Sequence, residues 1–177
     1  MHQRIPAKRI AELQNDDKIY LDLSFQSEER WNDTQRRKYV KSLLSNSCPT
    51  PIVLADVQSC MKYCEDTYGV DSADYLYFKE KDDTGYQYIS IDGNNRSRTI
   101  GRFVKNEFGL SPTEHKISGI EQPAYRNWKP TNSSRTYSAL PDFIKTHFDN
   151  NVCVIVYKVT EASLTDLCEL FINLSLI

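Results

Sequence analysis

The sequence predicts an α+β protein, a small mixed β-sheet flanked by helices. Segments with apolar residues three and four positions apart, typical of helices, alternate with short apolar or alternating segments typical of strands. The 177 residues suit one domain with a hydrophobic core. The hydrophobic fraction of 40% and the charged fraction of 26% are ordinary for a globular protein. We therefore expect residues 1–177 to form a single domain.

Six segments have the apolar spacing, caps or breakers of helices. In the second of them Val40, Leu43 and Leu44 belong to one apolar stripe, and Asp33 or Thr34 is placed to cap it. A glycine or a pair of prolines follows two of these segments and ends them. The predicted helices are Ala7–Gln14, Asp33–Ser45, Ser59–Tyr68, Asn95–Phe108, Pro141–Phe148 and a last helix from Ser163 onward.

Five segments have the length and composition of strands. Ile19, Leu21 and Leu23 alternate with polar residues, whereas the segment from Val152 is continuously apolar and indicates a buried strand. Two of the strands are expected to form a hairpin around the polar stretch 80–85. Residues 111–134 contain three prolines and are expected to be a loop. The predicted strands are Lys18–Leu23, Ile52–Val57, Tyr75–Lys79, Tyr86–Ile91 and Val152–Val159.

Two classes of protein are disfavoured by the sequence. No apolar run approaches the roughly 20 residues that span a bilayer, and the N-terminal residues lack a secretory signal, so we expect a cytoplasmic protein without a membrane partner. The five cysteines are odd in number and irregularly spaced, which indicates reduced thiols. Cys60 and Cys64 can share a helix face, but no histidine lies near them. We expect packed thiols there and no metal site.

Charge changes sign within the chain. The formal net charge is only −2, but residues 56–92 hold three basic and nine acidic side chains, and residues 94–135 hold eight basic and three acidic ones. The boundary falls at Asp92–Arg96. A local positive field there would attract phosphates, although two solvated faces that happen to differ would give the same pattern.

The segment at this boundary has the pattern of an anion site. A predicted strand stops at Asp92-Gly93 and a predicted helix starts directly after it. Gly93 allows a tight turn and close approach of a ligand to the backbone, and the first N–H groups of the helix attract anions. Arg96 and Arg98 are close enough in sequence to add bidentate phosphate contacts.

Asp92-Gly93-Asn94-Asn95-Arg96 and the helix after it resemble the Asp-Gly-Gln-Gln-Arg motif of the N-terminal domain of GmrSD-type restriction enzymes, which is related to the ParB/sulfiredoxin fold. Three further stretches are similar to that family, in the family's order. They are the segment Phe25–Trp31, the helix, Pro-x-Pro turn and strand of Tyr39–Leu54, and the segment Leu170–Leu174.

The resemblance implies a ParB-like nucleotide-binding domain that binds, and often hydrolyses, a nucleoside triphosphate with Mg²⁺. In the family this activity serves restriction of modified phage DNA, a defence function. By position, Asp92 would orient the site or help to hold Mg²⁺, Gly93 would admit the phosphates, and Arg96 would contact them. Asp92 and Arg96 are therefore the catalytic candidates. The nucleotide-binding candidates are Gly93, Asn94, Asn95, Arg96 and, more weakly, Arg98.

The sequence also departs from the family. Asn94 and Asn95 replace the paired glutamines, Ser27 stands where the family has arginine, and Ser175 replaces an asparagine. The three histidines do not form a His-Asn-His nuclease motif, so we expect no nuclease domain in this chain. Cleavage of DNA would then need another kind of site, or a nuclease domain or partner protein, and DNA itself is a candidate partner. Sulfiredoxin chemistry is set aside because Asn94 occupies the position of its cysteine nucleophile.

Two other functions remain open. If turnover has been lost, the chain is a non-enzymatic DNA-binding or regulatory module in which Tyr125, Trp128 and Tyr137 stack on bases or simply pack in a loop. Its phosphate contacts would come from Arg96, Arg98, Arg102, Lys105, Lys116, Arg126, Lys129 and Arg135, of which Arg102, Lys105, Arg126 and Lys129 are the main DNA-binding candidates. The apolar last helix instead suits a decoy acting through a protein partner. That apolar end either docks on the core or, as we favour, belongs to the front part of a longer chain.

Overall fold

The computed structural model describes residues 2–22, 30–47, 50–121 and 125–176, and within them the predicted α+β class is confirmed. The helices are α1 Ala7–Asn15, α2 Asp33–Leu44, α3 Val57–Tyr68, α4 Ala73–Asp83, α5 Asn94–Val104, α6 Asp142–Asn150 and α7 Leu164–Ser175, with a 3-10 turn at Tyr137–Ala139. The strands are β1 His2–Pro6, β2 Ile19–Tyr20, β3 Ile52–Asp56, β4 Tyr88–Asp92, β5 His115–Lys116, β6 Asn127–Trp128 and β7 Cys153–Val159.

Five of these strands form one mixed sheet in the order β1-β7-β3-β4-β2. β1 is antiparallel to β7, β7 is parallel to β3, β3 is antiparallel to β4, and β4 is parallel to β2. β5 and β6 form a separate antiparallel pair. The last strand in sequence thus lies between the first strand and the centre of the sheet.

The sheet separates two hydrophobic cores. Successive side chains of a strand point to opposite faces, so Ile52 and Leu54 of β3 enter one core while Val53 and Ala55 enter the other. The larger core holds buried residues of α1, α2, α5 and α6. The smaller core holds buried residues of α3, α4 and α7. The protein therefore has three layers, with helices on both faces of the sheet.

Local sequence explains where two helices begin. Asn32 caps α2 and forms a capping box with Gln35, one residue before the predicted cap at Asp33 or Thr34. Ser163, where the last helix was expected to begin, caps α7 in the same way with Asp166, and the helix itself starts at Leu164. Such reciprocal bonds satisfy backbone donors that the first helical turn leaves without partners.

The predicted hairpin is wrong, because residues 73–83 form helix α4. Its alternating aromatic residues favour a strand, but Ser72 caps a helix by accepting a hydrogen bond from the Tyr75 N–H at 3.2 Å. Lys79 and Asp83 form an i,i+4 ion pair at 2.8 Å, and Phe78 is fully buried in the smaller core. Capping and burial together outweigh the weak strand preference.

Other boundaries differ from the predictions. β1 was not expected, and the predicted loop at 111–134 contains β5 and β6. Of the strand predicted for residues 18–23, the described part forms a strand at Ile19–Tyr20, and Leu23 lies outside the described residues. α5 stops at Val104 because Asn106 adopts a left-handed backbone with φ 63°. Phe108 nevertheless remains buried against Phe103.

Cys60 and Cys64 are fully buried, as expected for packed thiols. Each thiol donates weakly to a backbone carbonyl, Cys60 to Val159 at 3.8 Å and Cys64 to Ala162 at 3.7 Å. Burial raises the pKa of Cys60 to about 12 and that of Cys64 to about 11, so both are protonated and inert at neutral pH. In the described part of the chain, no three His, Cys, Asp or Glu side chains are grouped so as to hold a metal ion.

The last helix is only partly docked. Leu167 of α7 is buried, whereas Ile172 is 56% and Leu176 is 80% exposed. The partner-binding hypothesis for this helix stays a prediction. No helix within the described ranges has the length and apolar character needed to cross a bilayer.

Two buried histidines lead to a prediction about pH. The Nε2 atoms of His115 and His147 lie 3.2 Å and 3.3 Å from the carbonyl oxygens of Ser111 and Leu44, and each Nδ1 is buried without a partner among the described residues. Burial lowers the pKa of both imidazoles, because the charged form loses its hydration there. The histidines therefore favour folding above about pH 6.5, and this contribution is lost as the pH falls.

We expect the free energy of unfolding to decrease between pH 7 and pH 5.5, by up to about 1.4 kcal/mol per pH unit for each histidine. Urea unfolding at several pH values measures this slope, in a range where ordinary carboxyl groups stay ionised. His147→Gln keeps a donor for the Leu44 carbonyl and should reduce the slope, whereas His2→Gln changes an exposed side chain and should not. A slope that survives replacement of both buried histidines would contradict this assignment.

Candidate functional site

The Asp92–Arg96 segment lies where β4 passes into α5, beside the beginning of β3. It forms most of the wall of a pocket of about 170 Å³. The pocket is lined by Trp31, Ile91, Asp92, Gly93, Asn94, Asn95, Arg96 and Phe171. The structure therefore brings together four of the five predicted nucleotide-binding residues and both catalytic candidates.

Gly93 makes the turn that positions this site. It is the N-cap of α5 and has a left-handed backbone, with φ 91° and ψ 18°. A Cβ atom built on Gly93 would lie 3.1 Å from Ile52 Cα, Ile52 Cγ1 and Arg96 Nε. Only glycine satisfies both the backbone angle and the close approach of β3 without strain.

Arg96 ties the turn to the neighbouring strand. Its Nη2 donates to Asp92 Oδ2 at 2.7 Å and to the carbonyl oxygen of Pro51 at 2.9 Å. The Arg96 side chain is only 15% exposed, whereas that of Asp92 is 43% exposed. Arg96 Nε is buried and has no partner among the described residues. The guanidinium is thus largely a clamp for the site, and the carboxylate of Asp92 faces the solvent side.

Asn94, the first residue of α5, carries an amide without a partner. The residue is 8% exposed, and its buried Nδ2 donates to no atom of the described residues. The N-cap of this helix is Gly93, which has no side chain to cap it. Ser97 continues the helix, donating its hydroxyl to the Asn94 carbonyl at 3.1 Å and accepting from Gln14 Nε2 at 2.9 Å. A buried amide without a partner among the described residues therefore lies at the start of a helix, where backbone N–H groups favour an anion.

Asn95 connects the site to the segment before α2. Its Oδ1 accepts hydrogen bonds from the backbone N–H groups of Arg30 at 2.9 Å and Trp31 at 3.4 Å. Its amide therefore fixes the backbone that carries Trp31 into the pocket. Phe25, Gln26 and Ser27, which the family resemblance singled out, lie outside the described residues, as do Cys48 and Pro49.

Arg98 lies away from this pocket. It lines a separate depression of about 280 Å³ between the ends of α1 and α5, together with Arg102 and Lys105. Arg102 is paired with Glu107 at 2.6 Å. The nucleotide-binding candidate Arg98 is therefore grouped with two of the DNA-binding candidates and not with Arg96.

The other DNA-binding candidates flank β6. Arg126 and Lys129 are exposed, and Lys129 lies 3.9 Å from Glu114. Two of the three aromatic residues proposed to stack on bases pack against neighbours, Tyr125 on Phe143 at 4.2 Å and Trp128 on His115 at 5.9 Å between ring centroids. Tyr137 is buried beside Phe103 and Phe148. The Tyr137 ring therefore packs in the larger core.

Sequence reasoning missed two features of the pocket. The Pro51 carbonyl is a backbone group 45 residues from Arg96, and no side-chain pattern indicates it. The wall made by Phe171 comes from α7, on the opposite face of the sheet from Trp31. The resemblance of Leu170–Leu174 to a family segment was the one signal that pointed to this region.

Comparisons with family models, with curated proteins and with solved structures found no match to this chain.

Proposed function

We propose that the Asp92–Arg96 pocket binds the phosphate groups of a nucleotide, as the resemblance to GmrSD-type enzymes implies. The observation that carries the proposal is the buried Asn94 amide, which has no partner among the described residues and lies at the uncapped start of α5. Burying an amide donor without an acceptor costs about 1–3 kcal/mol. A phosphate oxygen supplies the acceptor, and the helix start favours its negative charge.

Residues of the Asp92–Arg96 segment have different roles in binding the phosphates. Gly93 keeps the wall of the pocket free of a Cβ, and the backbone N–H groups of the first turn of α5 face the anion. Arg96 adds positive charge beside it while holding Asp92 in place. Mg²⁺ is commonly held by one or two carboxylates together with phosphate oxygens, and the half-exposed Asp92 fits that role. Hydrolysis of a nucleoside triphosphate in a ParB/sulfiredoxin-type fold is the activity we assign to this arrangement.

One observation favours a second function, nucleic-acid binding. Arg98 and Arg102 of α5 and Lys105, its C-cap, are spaced i, i+4 and i+7 and line the same depression. Asp17 and Glu107 also line it. Cations on successive helical turns suit a row of phosphates. Under this second hypothesis the domain has its fold but does not hydrolyse nucleotides. It then serves a regulatory or decoy role through DNA or a protein partner.

Replacing Asn94 by leucine separates binding from folding. Leucine has the same number of side-chain heavy atoms as asparagine, branched at the same carbon, and removes the partnerless donor, so we expect the free energy of unfolding to rise by about 1 kcal/mol. The same change should weaken nucleotide binding. Thermal unfolding with ATP, GTP, CTP or UTP and Mg²⁺ measures both. At 100 times its dissociation constant a nucleotide stabilises by about 2.7 kcal/mol, roughly 5–10 °C for a domain of this size.

Arg96 and Arg98, both on α5, provide a test variant and its matched control. Arg96→Ala should weaken binding by about 1.5–3 kcal/mol, the scale of a charge-assisted hydrogen bond. Arg98→Ala removes the same charge two residues later, from the other depression, and should leave the nucleotide-induced shift intact. If no nucleotide shifts the wild-type protein, the nucleotide proposal is wrong and the nucleic-acid function is favoured instead.

A further inference from the structure

The candidate pocket has an apolar wall that phosphate binding does not use. Six of its lining residues come from the run Ile91–Arg96, and the other two are the aromatic residues Trp31 and Phe171. Trp31 precedes α2 and is partly buried against the larger core, whereas Phe171 lies on α7 and is partly buried against the smaller core. The pocket is therefore a place where the two sides of the sheet meet.

Trp31 is held in position by two contacts. Its indole packs edge-on against Tyr39 with ring centroids 5.3 Å apart, and its backbone N–H donates to Asn95 Oδ1. Phe171 lies on the third turn of α7 and is partly buried against the smaller core. A ring fixed as Trp31 is loses little conformational freedom when a ligand contacts it, which favours binding.

The size of the pocket indicates how much of a ligand it encloses. Sites that bury a whole drug-sized molecule have volumes of about 300–1,000 Å³, whereas this one has about 170 Å³. It therefore encloses only part of a nucleoside triphosphate, and the rest of such a ligand would extend beyond the pocket. A ligand that matches both walls must combine an anionic group with a planar apolar ring.

We infer that Trp31 and Phe171 form a slot for the nucleobase, with the phosphates directed to the start of α5. This inference rests on the proposed function and adds the base-binding element to it. Aromatic side chains stack on any base because every base has a π-face. The slot therefore raises affinity for nucleotides over plain polyphosphate without a requirement for one particular base.

Trp31 can report on its own occupancy. The chain has two tryptophans, so Trp128→Phe leaves Trp31 as the single indole. In that background we would titrate ATP, GTP, CTP, UTP and inorganic tripolyphosphate, each with Mg²⁺, and follow Trp31 fluorescence together with calorimetric affinity. The nucleotides should quench Trp31 and bind about 5- to 100-fold more tightly than tripolyphosphate, the range expected for one stacked base.

Phe171→Leu should remove most of that difference while leaving tripolyphosphate affinity unchanged. Phe143→Leu, at a partly buried phenylalanine of α6 outside the pocket, is the control and should affect neither ligand. Circular dichroism and thermal unfolding check that each variant folds, and Trp31→Phe offers a second, milder change in the slot. Equal affinity for nucleotides and tripolyphosphate, without quenching, would overturn the slot and leave the phosphate site standing. If no probe binds, both proposals are wrong.

Discussion

Replacing Gly93 by alanine is expected to lower the free energy of unfolding by about 2–5 kcal/mol and to abolish ligand binding. A left-handed backbone costs a residue with a Cβ about 1–2 kcal/mol, and forcing that Cβ into a packed wall adds about 1–3 kcal/mol. At Gly93 the new atom would meet the backbone of Ile52 at 3.1 Å, in a strand at the centre of the sheet. That strand cannot move aside without disturbing both cores.

Substitution of Gly85 separates the cost of the left-handed backbone from the cost of the contact with β3. Its φ is +88°, close to that of Gly93, but its nearest contact for a new Cβ is the mobile end of Lys18 at 3.6 Å, an ordinary distance. Gly85→Ala should therefore lose only the backbone contribution and leave binding unchanged. Urea unfolding and nucleotide titration of both variants make the comparison. Equal destabilisation by the two substitutions would show that the contact between Gly93 and β3 is not tight.

Replacing Phe103 by alanine is expected to lower the free energy of unfolding by about 3–5 kcal/mol. Phe103 is fully buried, and its ring packs against Phe108, Tyr137 and Phe148 with centroid distances of 5.7, 5.9 and 5.6 Å. Alanine leaves a cavity that these rings cannot fill, since all of them are fixed by further contacts in the larger core. In thermal unfolding this is a decrease of roughly 6–20 °C.

Leu76 provides the contrast for Phe103. It belongs to α4 and is 53% exposed, so Leu76→Ala should change the free energy of unfolding by less than about 0.5 kcal/mol. Phe103 also anchors α5, the helix whose first turn forms the pocket. Nucleotide binding by Phe103→Ala, measured at a temperature where the variant is folded, should therefore be weaker than in Leu76→Ala. If Phe103→Ala lowered the free energy of unfolding by as little as Leu76→Ala does, the packing described for this core would be contradicted.

Local chemistry made parts of the fold predictable. The turn at Gly93 and the helix after it were predicted because an Asp-Gly pair stands between a strand pattern and a helix pattern. The beginning of α7 next to Ser163 and the end of α3 at Gly69 were predicted from residues that commonly flank helices. The alternating tyrosines of α4 misled because Tyr and Phe suit strands and buried helices alike. There the decisive information was the Ser72 cap and the burial of Phe78.

The remaining features depend on contacts between distant residues. Pairing of β1 with β7, the parallel neighbours β7 and β3, and the bond from Arg96 to Pro51 join segments that no local pattern connects. The pocket shows the same limit. Its polar half is one short run of sequence and was predicted, whereas its aromatic half comes from Trp31 and Phe171, on different faces of the sheet.

The position of β7 between β1 and β3 has a consequence for synthesis of the protein. Among the described strands β1 pairs with β7 alone, and about 150 residues separate the two strands. At a translation rate of about 5–20 residues per second, β1 emerges from the ribosome roughly 8–30 s before its partner exists. Until then Ile52 and Leu54 of β3 also lack the neighbour that covers their strand edge. The nascent chain must therefore keep an open sheet edge from pairing with other chains, and the larger core closes late.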